Sequence, residues 1–179
     1  MKLLKTLALS AALALTSAAA SAETFNFSYT FSDASVLSGS LTGVLNGLFI
    51  DDVANIQVTF KGSDFTGAPL FAAAWDKVAQ SWSASAPIIS TDASLNNFIF
   101  ADSNVPTDFG VSNYFYFVND STGTHVYANN LNTGDIALDE PTATATWSIA
   151  AAPVPEPETY ALLLAGLGIL GTMVRRRQA

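Results

Sequence analysis

Phe25-Asn26-Phe27-Ser28-Tyr29-Thr30-Phe31 alternates large aromatic and small polar side chains without a break. Successive side chains on an extended strand point to opposite faces, so this stretch puts its rings on one face and its polar groups on the other. A helix would scatter the same rings around its circumference. The stretch therefore predicts a strand half buried against a core, and Ile56-Gln57-Val58-Thr59-Phe60 repeats the pattern. Working outward, further strands are expected at 40–45, 70–75, 80–85, 97–101, 113–118, 124–128 and 142–149. Turn chemistry separates them at Asn46-Gly47, Asp51-Asp52, Lys61-Gly62, Asn119-Asp120-Ser121-Thr122-Gly123 and Asn132-Thr133-Gly134-Asp135. The alanines in Phe71-Ala72-Ala73-Ala74-Trp75 favour helix, but the aromatic-rich, proline-flanked setting favours strand, and a strand is expected there. About nine short strands joined by polar turns predict an all-β domain over residues 23–150. The expected fold is an antiparallel β-sandwich, with a jelly-roll-like or barrel variant compatible with the same pattern.

Both ends of the chain depart from this pattern. Lys2 and Lys5 precede an apolar run from Leu7 to Leu15, and small residues then lead to Ala20-Ser21-Ala22 before Glu23. That order predicts a secretory signal peptide over residues 1–22, cut by signal peptidase so that the mature chain begins at Glu23. At the other end, residues 151–159 form a linker containing Val154-Pro155-Glu156-Pro157, which the prolines hold extended. An uncharged apolar stretch follows at 160–174, read as a transmembrane helix, and then Arg175-Arg176-Arg177 in a basic tail at 175–179. Arginines at that position resist translocation and stay on the cytoplasmic side of the inner membrane. A helix of that length reaches about 22 Å at 1.5 Å per residue, short of the ~30 Å hydrocarbon core. Gly166, Gly168 and Gly171 weaken it further, as suits a transient anchor.

Val154-Pro155-Glu156-Pro157, the apolar stretch and the arginine cluster together resemble the PEP-CTERM sorting signal of Gram-negative bacteria. The resemblance implies that an exosortase recognises and cleaves the tail, delivering the protein to the cell surface or extracellular matrix. Phe25 to Gly47, with Tyr29-Thr30-Phe31-Ser32-Asp33 and Gly39-Ser40-Leu41-Thr42-Gly43, resembles the all-β regions that often precede such tails. That second resemblance implies a fold and no chemistry.

Apart from the two ends, Lys61 and Lys77 stand against fifteen carboxylates between Glu23 and Glu158, a balance of −13. Such a charge repels phosphates, which argues against nucleic acid or an anionic membrane surface as a partner. The chain has no cysteine, so no disulfide framework supports it after export. Stability must come from the core.

Catalytic signatures are sparse. His125 is the single histidine, on an expected strand, and no Gly-x-Ser-x-Gly elbow accompanies it. One histidine and no cysteine disfavour a zinc centre of the usual ligand types. Carboxylates are too abundant for any one pair to mark a glycosidase. No cofactor is expected, with calcium the one candidate: Asp102, Asn104 and Asp108 offer hard oxygens in one loop, as do Asp51-Asp52 and Asn132 with Asp135. None of these matches an EF-hand, and Asp and Asn are also ordinary turn formers. Trp75, Trp82 and Trp147 are candidates for stacking on sugars, although tryptophan in a sandwich more often packs in the core. The expectation is an exported, non-enzymatic surface or matrix protein associated with extracellular polysaccharide. The alternative is a secreted carbohydrate-active enzyme.

Overall fold

A computed structural model describes residues 22–83, 86–102, 112–140 and 146–153. Eleven strands run through them: β1 (Glu23–Thr30), β2 (Val36–Asn46), β3 (Phe49–Phe60), β4 (Ser63–Asp64), β5 (Phe71–Asp76), β6 (Ser81–Ser83), β7 (Asn97–Ala101), β8 (Tyr114–Asp120), β9 (Gly123–Asn130), β10 (Asp135–Asp139) and β11 (Ser148–Ala151). They form two antiparallel sheets, ordered β11-β1-β2-β3-β4 and β10-β9-β8-β7-β5-β6. Most neighbours are consecutive hairpins; β5 lies between β6 and β7, and β11 returns to pair with β1.

Alternation dictates the core. Phe25, Phe27 and Tyr29 of β1 are buried, and they pack with Leu37, Val58 and Phe60 of their own sheet and with Phe98, Phe100, Phe115 and Phe117 of the other. Ring contacts such as Phe27 to Phe100 at 5.5 Å and Tyr29 to Phe117 at 5.7 Å cross between the sheets. Burying each such ring is worth roughly 1.5–3 kcal/mol. Gly39 sits opposite Phe27 in the β1–β2 ladder, and a β-carbon there would collide with the Phe27 ring and the Gln57 carbonyl oxygen. The absent side chain is what lets Phe27 lie flat on β2.

Several boundaries differ from the sequence expectation. Asp51-Asp52 is no turn: β3 runs straight through it, with Asp52 at φ 52° and Asn55 at φ 51°. Register shifts against β2 lie beside these residues, so the left-handed positions are absorbed as β-bulges inside one long strand. β2 begins at Val36, earlier than the Ser40 start, and β10 forms where no strand was expected. Ile136 and Leu138 of β10 are exposed and only Ala137 and Asp139 turn inward, so the usual hydrophobic alternation is inverted there. β11 continues through Ala151, and the Ala152 amide still donates to the Thr24 carbonyl at 2.7 Å, where a linker was expected. The Lys61-Gly62 turn has both residues at positive φ, as a tight β3–β4 hairpin requires. Among the described residues no helix is long and apolar enough to cross a membrane; the apolar stretch 160–174 lies outside them, as do residues 1–21.

Candidate functional site

The six-stranded sheet is apolar on both faces. Phe115 and Phe117 of β8 point into the sandwich, while Tyr114, Tyr116 and Val118 point out into a second cluster with Ala73, Ile99, Ala101 and Trp82. Pairing aligns this outer face into rows. One row runs Leu138, Tyr127, Tyr116, Ile99, Ala73, and the next runs His125, Val118, Asn97. Trp75 and Trp82 face each other on β5 and β6, beyond Asn97.

The rings of Tyr114, Tyr116 and Tyr127 lie nearly parallel, with Tyr114 to Tyr127 at 5.4 Å and 11° and Tyr116 to Tyr127 at 5.8 Å and 14°. Trp82 meets Trp75 edge-on at 5.3 Å and reaches Tyr116 at 5.5 Å. Because β5 and β7 separate β6 from β8, the Trp82 ring must lie across the sheet face, in one cluster with the fully buried Ile99. Burial, then the Glu140 carboxylate and Tyr127, push the Tyr116 hydroxyl up to about 12. Burial likewise pushes Tyr114 up, and its contact with Tyr127 adds to the effect.

Beside these rings lies an open cleft of about 370 Å³ bounded by Trp75, Trp82, Tyr116, Val118, Asp120, Thr122 and His125. Its polar side is a chain of short contacts. Glu140 Oε2 meets His125 Nδ1 at 2.6 Å, His125 Nε2 meets Thr122 Oγ1 at 2.8 Å, and the Thr122 hydroxyl donates to Asp120 Oδ1 at 2.6 Å. The Thr122 side-chain and backbone bonds, with help from His125, hold the Asp120 carboxyl below its ordinary value. The order Glu140, His125, Thr122 resembles that of a nucleophilic triad, with Asp120 as a further partner of the Thr122 hydroxyl. The arrangement fixes an amphipathic rim, one side aromatic and the other lined with donors and acceptors.

The residues expected from sequence fare unevenly. Asp102 is described, and its Oδ2 accepts from the Asn113 backbone amide at 3.1 Å and from Asn113 Nδ2 at 2.7 Å. Asn104 and Asp108 lie outside the described residues. Asp51 accepts from Asn46 Nδ2 at 3.1 Å, while Asp135 takes the Thr133 hydroxyl at 2.6 Å and faces Lys61 Nζ at 3.7 Å. Asn132 donates to Thr66 O at 3.3 Å. Among the described residues no three acidic or histidine side chains gather as a metal site. Trp147 belongs to the core: its ring stacks on Phe27 at 5.7 Å and its Nε1 donates to Ser90 O at 2.8 Å. Trp75 and Trp82 do meet at the cleft. The tyrosines, Asp120 and Glu140 were not singled out from sequence, although Tyr114-Phe115-Tyr116-Phe117-Val118 carries the signal, since aromatics at every position mean a strand with two apolar faces.

Ala22 is exposed and Glu23 opens β1 opposite Gly43, whereas Ala20 lies outside the described residues. Val154, Pro155, Glu156, Pro157 and Arg175 to Arg177 also lie outside them. They are placed by pattern instead. No curated protein and no solved structure matches the chain. The family model of the PEP-CTERM protein-sorting motif matches residues 153–178, which marks an exported protein sorted by exosortase from a membrane-anchored precursor. The chain thus carries a PEP-CTERM sorting motif at residues 153–178.

Proposed function

We propose that this is a non-enzymatic cell-surface or extracellular-matrix protein that holds exopolysaccharide on the aromatic outer face of its six-stranded sheet. The observation that carries the reading is the cleft where Trp75, Trp82 and Tyr116 face Asp120, Thr122 and His125. Sugars present apolar C–H faces flanked by hydroxyls, and a ring platform bordered by hydrogen-bonding groups is their complement. The cleft is open along one side, which suits a point along a polymer better than a small enclosed molecule. A non-enzymatic role is favoured by the sequence, which has a single histidine and no Gly-x-Ser-x-Gly elbow.

Affinity electrophoresis in gels cast with exopolysaccharide purified from the producing bacterium tests the reading. The mature protein should be retarded in proportion to polysaccharide concentration, and Trp75→Ala combined with Tyr116→Ala should migrate as in a blank gel. Equal mobility of both proteins in all gels would overturn it. Shortening of the polysaccharide during incubation would favour the carbohydrate-active enzyme.

A further inference from the structure

The end of the five-stranded sheet from which the sorting tail leaves carries a cluster of exposed apolar side chains. β11 ends beside the start of β1, with Ala151 paired to Phe25 and the Ala152 amide bonded to Thr24. Glu23 lies opposite Gly43, and the β2–β3 hairpin continues past that point through Val44, Leu45 and Asn46 to Phe49. Its tip exposes Leu45 (48%), Leu48 (50%) and Phe49 (40%), joined by Ile88 (42%) from the segment that hydrogen-bonds to Leu48 and Ile50. The opposite end exposes Val36 (48%) beside Lys61 and the polar β3–β4 turn.

We infer that this hairpin tip is a membrane-contact surface, by which the anchored precursor rests on the outer leaflet of the inner membrane until its tail is cut. The inference rests on the anchored-precursor reading of the sorting motif. Six residues, 154–159, separate Pro153 from Tyr160, and even fully extended they span only about 20 Å. The three residue pairs of the hairpin beyond Gly43 project about 10 Å toward the same side. The apolar stretch 160–174 is shorter than the hydrocarbon core, a mismatch relieved by drawing its flanking residues into the headgroups. All three effects bring the tip to the interface, where leucine and phenylalanine side chains are stabilised by burial. Asp51 and Asp52 are exposed on the same hairpin and repel anionic headgroups, so the contact is with apolar and zwitterionic lipid.

The absence of cysteine allows a single-site probe. Full-length chain carrying Asn46→Cys labelled with an environment-sensitive dye is reconstituted through its tail into phosphatidylcholine vesicles, and a Lys61→Cys label serves as the distal control. The expected result is a blue-shifted emission at position 46, quenched by shallow spin-labelled lipid, with a water-like signal at position 61. Cleavage of the tail, or Leu45→Ser with Leu48→Ser, should abolish the shift at 46 while the latter variant stays vesicle-bound. A chain that floats with vesicles yet gives a water-like signal at 46 would overturn the contact while leaving the anchor intact. A chain that fails to float would overturn both.

Discussion

The side chain of Asn97 takes the place of a neighbouring strand for Trp75: the Trp75 amide donates to Asn97 Oδ1 at 3.0 Å, and Asn97 Nδ2 donates to the Trp75 carbonyl at 3.0 Å. The pair lies where β5 parts from β7, whose ladder reaches only Ala73 and Ile99, and turns to β6. Backbone groups left bare at that fork would need partners, and the amide supplies one donor and one acceptor at once. It thereby fixes the backbone that carries the Trp75 ring into the cleft. Asn97→Ala should cost about 1–3 kcal/mol by orphaning both groups, and should weaken polysaccharide binding although Asn97 is not part of the cleft lining. Urea melts read the first effect and affinity electrophoresis the second; unchanged binding by a folded Asn97→Ala protein would show that Trp75 does not need this support.

Tyr29 joins the sheets by a buried bond from its hydroxyl to Asp139 Oδ2 at 2.8 Å, and the same carboxylate accepts from the Ser32 amide and hydroxyl. Burial first, and then Asp139, push the Tyr29 hydroxyl far up, as burial does for Tyr114 and Tyr116. A raised folded-state value means the neutral phenol is favoured by folding. Its contribution is complete below the ordinary tyrosine value near 10 and is lost as pH rises through the folded value, about 12 for Tyr116. Melting temperature should therefore fall steeply above pH 10. Tyr116→Phe should flatten that fall, and an unchanged alkaline profile would contradict the assignment.

Gly39 is expected to tolerate nothing larger. Gly39→Ala drives a methyl group into the Phe27 ring and the β3 backbone, an overpacking cost of about 1–3 kcal/mol. Chemical denaturation checks it, and Gly47→Ala is the control: its φ of +64° is strained for alanine, yet no neighbour lies within reach of the new methyl.

Asp102 contributes to the fold through Asn113, which also donates to Thr66 O at 3.2 Å and accepts from the Leu131 amide at 2.8 Å. Asp102→Ala should lower stability by about 1–3 kcal/mol in chelator. If calcium also binds this loop, millimolar calcium should raise the melting temperature of the parent beyond sodium chloride of equal ionic strength, by mass action on the folded state. Equal shifts in the two salts remove calcium from the loop.

Much of the fold was legible because period-two alternation is a local signal. Phe25 to Phe31 and Ile56 to Phe60 announce both strand and buried face, and glycine and asparagine mark most turns. Asp51-Asp52 misled because a bulge and a turn share the same residue chemistry, and only pairing with β2 separates them. β10 was invisible because its outward residues are the apolar ones. The cleft was half legible: Trp75 and Trp82 stood out by type, but register brings Tyr116 and His125 beside them, and register is set by pairs distant in sequence. Asp139 shows no role in the sequence until Tyr29, far away in the chain, is placed against it.

Binding at the aromatic face is tested most directly by titrating the mature protein and its Trp75→Ala variant with fragments of the producing strain's own exopolysaccharide in a calorimeter. Loss of one stacking ring removes on the order of 1 kcal/mol or more, so the variant should bind about five- to tenfold more weakly while remaining folded, at a melting temperature lowered by the loss of its contact with Trp82. Equal affinities for the parent and a folded Trp75→Ala protein, or no heat from either, would contradict polysaccharide binding at this face.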